Sequence, residues 1–260
     1  MSMWLFGGLL SFFATMLFKT ASKKSSASLR EMNVRDSKNY LKVYPPYLES
    51  WKDLLVKYRG DIPLNCLFAW IKKESGGNPC SIGDVPSSGN YPLEYGLFQL
   101  HGVADKEIAS SAEMRGMCKI GSPDGERKVW ESLNRNLTQD EKIKQVVTGI
   151  KLVEKCRQKA REALQKAGTK WDEQDPDFWN LVKLYHASPA VVNMVGQMKE
   201  SPTSWKDIRS TLDPGLYQAY LNRFKVSNPC EKLGMTPEQC ARYKVNQIWD
   251  NCEVMGKSFT

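Results

Sequence analysis

The chain has 260 residues, with 37 Lys and Arg against 29 Asp and Glu, a formal net charge of +8, and hydrophobic and charged fractions of 41% and 25%. Those values exclude disorder of the whole chain and allow a full hydrophobic core, and the length predicts one main domain with attachments rather than two equal domains. The basic excess favours an anionic partner (cell wall, lipid headgroups or nucleic acid) without naming one.

Residues 1–18, MSMWLFGGLLSFFATMLF, carry no charge and are about long enough to cross a bilayer as a helix. Lys19, Lys23 and Lys24 follow this stretch and no basic residue precedes it, which is the reverse of a secretory signal. The expectation is a retained single-pass transmembrane anchor over 1–18 and a basic, solvated linker over 19–45. By the positive-inside rule the lysines would hold the remainder in the cytoplasm.

From residue 46 onward the pattern predicts a mostly α domain. YLESWKDLLVKYRG reads as an amphipathic helix closed by Gly60, and IPLNCLFAWIKKES as a second, with Pro63 at its first position and Leu64, Leu67, Phe68 and Ile71 at helical spacing. Turn formers between Asn78 and Glu94 predict a loop with a small hairpin, and YGLFQLHG a short strand or helix entry. A long amphipathic helix follows over 141–167 with Gly149 inside it, an interior glycine best explained by close packing. DPDFWNLVKLYHASP predicts a helix begun by Asp175 and Pro176 and stopped by Pro189, and the 201–260 extension ends in a helix over 236–254 with a Thr-Pro-x-Gln start.

The seven cysteines show no C-x-x-C pair, so neither a complete disulfide framework nor a zinc knuckle is legible. Cys66 and Cys156 read as buried thiols, Cys80 and Cys118 lie in loop-like sequence where a bridge is open, and Cys230 is the one nearby partner for either Cys240 or Cys252. Only His101 and His186 exist, neither in a ligand-spaced cluster, and there is no phosphate loop, so no metal or cofactor is expected.

Glu74 stands seven positions after Leu67, almost two full turns, and so projects from the buried face of its helix. A carboxyl held dry beside a polar cleft stays neutral and can serve as a general acid. The competing expectation for an isolated glutamate is a helix cap or a pairing with a nearby lysine.

ESGGNP at 74–79, YGLFQL at 95–100, VVTGIKLV at 146–153 and LYHASPAVV at 184–192 resemble, in order and spacing, the motifs of the soluble lytic transglycosylase family of the lysozyme superfamily. The match spans about residues 62–195, within an expected lysozyme-like α (α+β) domain over 46–200. His186 stands where the family has asparagine and Ser188 where it has glycine, and the loop between Pro79 and Gly96 is longer than usual. The resemblance implies Glu74 as catalytic acid, Ser75 on the carboxyl or substrate, Gly96 for close backbone approach, Gln99 and His186 along the sugar cleft, and the Tyr185 phenol near the carboxyl.

It implies cleavage of the β-1,4 bond between N-acetylmuramic acid and N-acetylglucosamine in peptidoglycan, ending in a 1,6-anhydro ring. A wall substrate conflicts with cytoplasmic retention; a membrane-anchored virion protein acting on the periplasmic wall during phage entry, among other virion proteins, resolves the conflict. Two alternatives remain. A hydrolytic lysozyme would need a second carboxylate or other group to position water, for which Asp84 or Glu94 is the nearby offer. A virion membrane structural or DNA-delivery protein would use the domain only to bind wall.

Overall fold

The computed structural model describes residues 46–83, 94–101, 105–110, 113 and 137–259. The expected anchor at 1–18, the linker at 19–45, Asp84 and Cys118 lie outside them. Among the described residues the protein is mostly helical, and no helix there is long and apolar enough to cross a membrane.

The first amphipathic stretch is two elements, a 3-10 helix Pro46–Trp51 running into α1, Lys52–Tyr58, after which Gly60 turns the chain at φ 61°. Helix α2, Leu64–Glu74, has Pro63 as its N-cap and buries every residue from Leu64 to Ile71. Three two-residue strands follow, β1 Ile82–Gly83, β2 Glu94–Tyr95 and β3 Leu100–His101, antiparallel in the order β1-β2-β3. Helix α3, Gln139–Lys166, starts on a capping box in which Thr138 and Glu141 satisfy each other's backbone N–H. The Asp175 carboxylate accepts from the Asp177 N–H to begin α4, Pro176–Ala187, and Pro189 opens a short α5, Pro189–Val195. Helix α6, Trp205–Val226, carries Pro214 in its interior, and α7, Pro237–Gly256, starts on a second capping box, Thr236 with Gln239.

Helix α4 is the central element. Phe178, Trp179, Leu181, Val182 and Leu184 are all at most 1% exposed, and α3, α5, α6 and α7 pack around it. The expected C-terminal extension is not a separate appendage. Trp205, Ile208, Leu212, Val245, Trp249 and Met255 belong to the same core cluster as Leu55, Phe68 and Trp70. Two long-range hydrogen bonds fix this closure: Asn180 Oδ1 accepts from the Gly256 N–H at 2.7 Å, and the Asn65 amide donates to the Ser258 carbonyl at 3.2 Å. The reason is apolar area. An amphipathic α7 could not leave Val245, Trp249 and Met255 in water, and α4 offers the face that covers them.

Cys230 pairs with Cys240 across a Cα–Cα distance of 5.7 Å, leaving Cys252 a buried free thiol with Cys66 and Cys156. Cys80 is disulfide-bonded. Arg157 of α3, nearly buried, binds Asp61 after α1, Glu154 on its own helix and Glu173 before α4, which ties those segments together.

Candidate functional site

Glu74 is the last residue of α2, and Ser75 caps it before Gly76 and Gly77, whose φ values of 61° and 89° turn the chain away. The Ser75 hydroxyl donates to the Leu97 carbonyl at 2.8 Å and accepts from the Gly77 N–H at 3.2 Å. It therefore joins the end of α2 to the turn at 96–99 and does not bond the Glu74 carboxyl, the first of the two partners the resemblance implied.

That turn is tightly specified. Gly96 has φ 83°, and Gln99, at φ 53°, is the one non-glycine residue with positive φ among the described residues. A left-handed conformation costs a glutamine of order 1 kcal/mol or more. Its side-chain amide offsets this by donating to Ser81 O at 3.0 Å and Gly96 O at 2.8 Å. Gln99 is 2% exposed, so it braces the turn instead of lining an open cleft. Gln145 of α3 clamps the same region, accepting from the Leu97 N–H at 3.0 Å and donating to Pro79 O at 2.9 Å. The Trp70 indole donates to Phe98 O at 3.3 Å. Replacing Gln145 by Ala strands the buried Leu97 N–H, so the variant is expected to lose about 2 kcal/mol in denaturant titration; an unchanged midpoint would show that the turn stands without the clamp.

The Glu74 carboxylate meets Lys183 and His186, which lie three residues apart on one face of α4. Lys183 Nζ hydrogen-bonds Glu74 Oε1, with the lysine side chain 0% exposed and the glutamate 12%. His186 Nδ1 is 3.2 Å from Lys183 Nζ and 3.6 Å from Glu74 Oε1, and its Nε2 is 3.1 Å from the Gln99 carbonyl. An ammonium only donates and a carbonyl only accepts, so the contacts assign the tautomer: Nδ1 is bare and Nε2 carries the proton. Burial and the Lys183 charge pull His186 down to about 4, so the ring is neutral above mildly acid pH. Trp70 closes the group on one side, with Lys183 Nζ 4.6 Å from its ring centre and the His186 ring 5.1 Å away.

This pairing corrects the expectation that Glu74 is held neutral. Burial pushes its carboxyl up, but Lys183, with His186 and Lys73, outweighs burial and the carboxyl sits below its ordinary value. The free protein therefore carries Glu74 as a carboxylate at neutral pH. Tyr185 is likewise not the phenol beside it. Two residues from Lys183 on a helix is a rotation of about 200°, and Tyr185 lies half-buried against the core with no hydrogen bond to Glu74. Lys183 is the functional residue that sequence reasoning missed; its signal was a lysine inside the apolar run FWNLVKL, three positions before a histidine.

Five of the six expected site residues, Glu74, Ser75, Gly96, Gln99 and His186, are thus brought into one connected cluster, to which Tyr185 adds no hydrogen bond. Of the two candidates for a second carboxylate, Glu94 is half-buried on β2 opposite His101, and Asp84 is outside the described residues. No group of three metal-ligating side chains occurs among the described residues. No family model matches the chain, and no curated protein or solved structure is significantly similar to it.

Proposed function

We propose that the chain is a peptidoglycan lytic transglycosylase on a lysozyme-like fold. The observation that carries this reading is the convergence of three stretches distant in sequence, 74–79, 95–100 and 184–188, on one nearly dry carboxylate at a helix end, with VVTGIKLV packed beneath the second of them. Glu74 would protonate the glycosidic oxygen between N-acetylmuramic acid and N-acetylglucosamine while the sugar's own acetamido oxygen shares the charge at the anomeric carbon. As a carboxylate it would then take the proton of the 6-hydroxyl, which closes the 1,6-anhydro ring. One carboxylate suffices because no water is activated. Membrane anchoring through 1–18, with a role in a virion that opens the wall locally at entry, belongs to the same reading.

The ion-paired state of Glu74 favours a second reading, a wall-binding domain of a virion structural protein that does not cut. The full chain incubated with purified peptidoglycan separates the readings by mass. Anhydro ends, lighter by one water than hydrolysed ends and absent with Glu74→Gln assayed well below its melting temperature, are the expected result. Hydrolysed ends would assign a lysozyme instead, and co-sedimentation with intact peptidoglycan and no fragments would assign the binding role.

A further inference from the structure

We infer that Lys183 is the proton store of this site, a positioning residue that loads the reacting carboxyl through its hydrogen bond to Glu74. The inference rests on the glycosidic cleavage proposed above, in which Glu74 must begin as an acid although the free protein holds it ionised.

Three observations identify the donor. Lys183 is fully buried and hydrogen-bonded to Glu74, so a proton can pass between them without solvent. His186 cannot supply it, because its one proton is engaged on the Gln99 carbonyl at Nε2 and its Nδ1 is the acceptor facing Lys183. Lys73, the other cation acting on Glu74, is exposed and makes no ion pair with it. Among the described residues, Cys156 of α3 and Cys252 of α7 interact with both members of the pair, Asp105 after β3 acts on His186 and Cys156, Lys155 on Cys156, and Glu253 of α7 on Cys252. Burial pushes the Cys156 thiol up, and Cys252 up to about 12, so both stay protonated. Asp105 is committed to Lys155 and to the His101 N–H, and Glu253 to Arg209.

The steps balance within the pair. An N–H bond of the Lys183 ammonium breaks as an O–H bond forms on Glu74, giving a neutral amine beside a neutral acid. In a dry site this exchange is less disfavoured than in water, because the charged forms are the ones burial penalises. The Glu74 O–H then breaks as its proton moves to the leaving glycosidic oxygen. When the 6-hydroxyl attacks, its proton passes to Glu74 and back to the Lys183 amine. The ammonium is restored without exchange with solvent, which suits a reaction that consumes no water.

The test is the pH dependence of kcat/KM for wild type, Lys183→Met and Lys183→Arg, each as the full chain on peptidoglycan, with folding followed by thermal melting. In Lys183→Met burial acts on Glu74 without an opposing ammonium, so the carboxyl carries its own proton at acid pH. That variant should fall within about tenfold of wild type there and at least about a hundredfold below it at neutral pH, the scale of a lost general acid. Lys183→Arg keeps the charge but does not release a proton, and should be slow by at least about a hundredfold at every pH. Wild-type rates from Lys183→Arg, or an unshifted profile from Lys183→Met, would overturn the inference while leaving the transglycosylase reading in place. Should Lys183→Met not fold, the arginine variant decides alone. Absence of anhydro ends with wild type would instead remove the reading and the inference together.

Discussion

Glu74→Gln is expected to lower the stability of the protein by about 3–5 kcal/mol at neutral pH, whatever reaction the site performs. The Lys183 side chain is 0% exposed, and its one carboxylate salt-bridge partner among the described residues is Glu74. An amide accepts a hydrogen bond but supplies no negative charge, so the variant leaves an ammonium in the core opposed by neither water nor an anion. Adding Lys183→Met to Glu74→Gln removes that charge, and the double variant should recover most of the loss, because a buried ion pair contributes little net stability relative to neutral groups of similar volume. Chemical denaturation of the wild type, both single variants and the double variant closes the cycle. Additive losses in the double variant would mean that the two side chains do not act on each other in solution.

The pH dependence gives the same cycle a sign. Glu74 sits below its ordinary value of 4.5 in the folded chain, so its contribution is present above that pH and is lost as pH falls through the lower folded value. His186 is pulled from 6.5 to about 4, so between those values the unfolded chain takes up a proton that the folded chain refuses. Both effects make the wild type weaken on acidification, beginning near pH 6.5 with the histidine. In Glu74→Gln the carboxylate share disappears, so the weakening that remains on acidification should be that of the histidine alone.

The reading of Glu74 shows how far local pattern reaches. Its burial followed from the helical period alone, since position 74 repeats the Leu67 face. The same rule placed α3, expected from 141 although its capping box of Thr138 with Glu141 starts it at Gln139, and capping residues marked the starts of α4 and α7, Asp175 with Pro176 and Thr236 with Gln239. What opposes Glu74 could not be read in this way. Lys183 is 109 residues away, and a lone lysine in an apolar helix normally carries its charge out to solvent along its own stem. Only packing α4 at the centre, under α7, leaves that charge no outward route. The backbone contacts of Ser75 and Gln99 were hidden for a related reason: a polar side chain beside a glycine turn can satisfy backbone groups that the sequence pattern does not display. Pro214 lies inside α6, where a proline ordinarily ends a helix, so the continuity of α6 is not legible from the local pattern.

Gly149 carries the second large effect. In an exposed helix interior, Gly→Ala stabilises by about 1 kcal/mol. Here a Cβ would lie 1.9 Å from Phe98 Cδ2 and 2.3 Å from both Cγ and Cε2 of the same ring, so the methyl would fall within the ring edge. The ring has no free direction of retreat. Phe98 is 0% exposed, its carbonyl receives the Trp70 indole, and its neighbours Leu97 and Gln99 are held by Gln145, Ser75 and Ser81. Gly149→Ala is therefore expected to cost about 3 kcal/mol, the upper range for an overpacked core, and Gly149→Val more. Trimming the ring in the pair Gly149→Ala with Phe98→Leu should return part of the loss. A Gly149→Ala protein as stable as wild type in denaturant titration would refute the close approach. The effect also reaches the chemistry, because the turn that Phe98 anchors presents the Gln99 carbonyl to His186 Nε2. Displacing that carbonyl releases the tautomer that leaves Nδ1 free to accept from Lys183, so among folded molecules of Gly149→Ala the proposed peptidoglycan cleavage should fall even though the substitution touches none of the three charged or imidazole side chains.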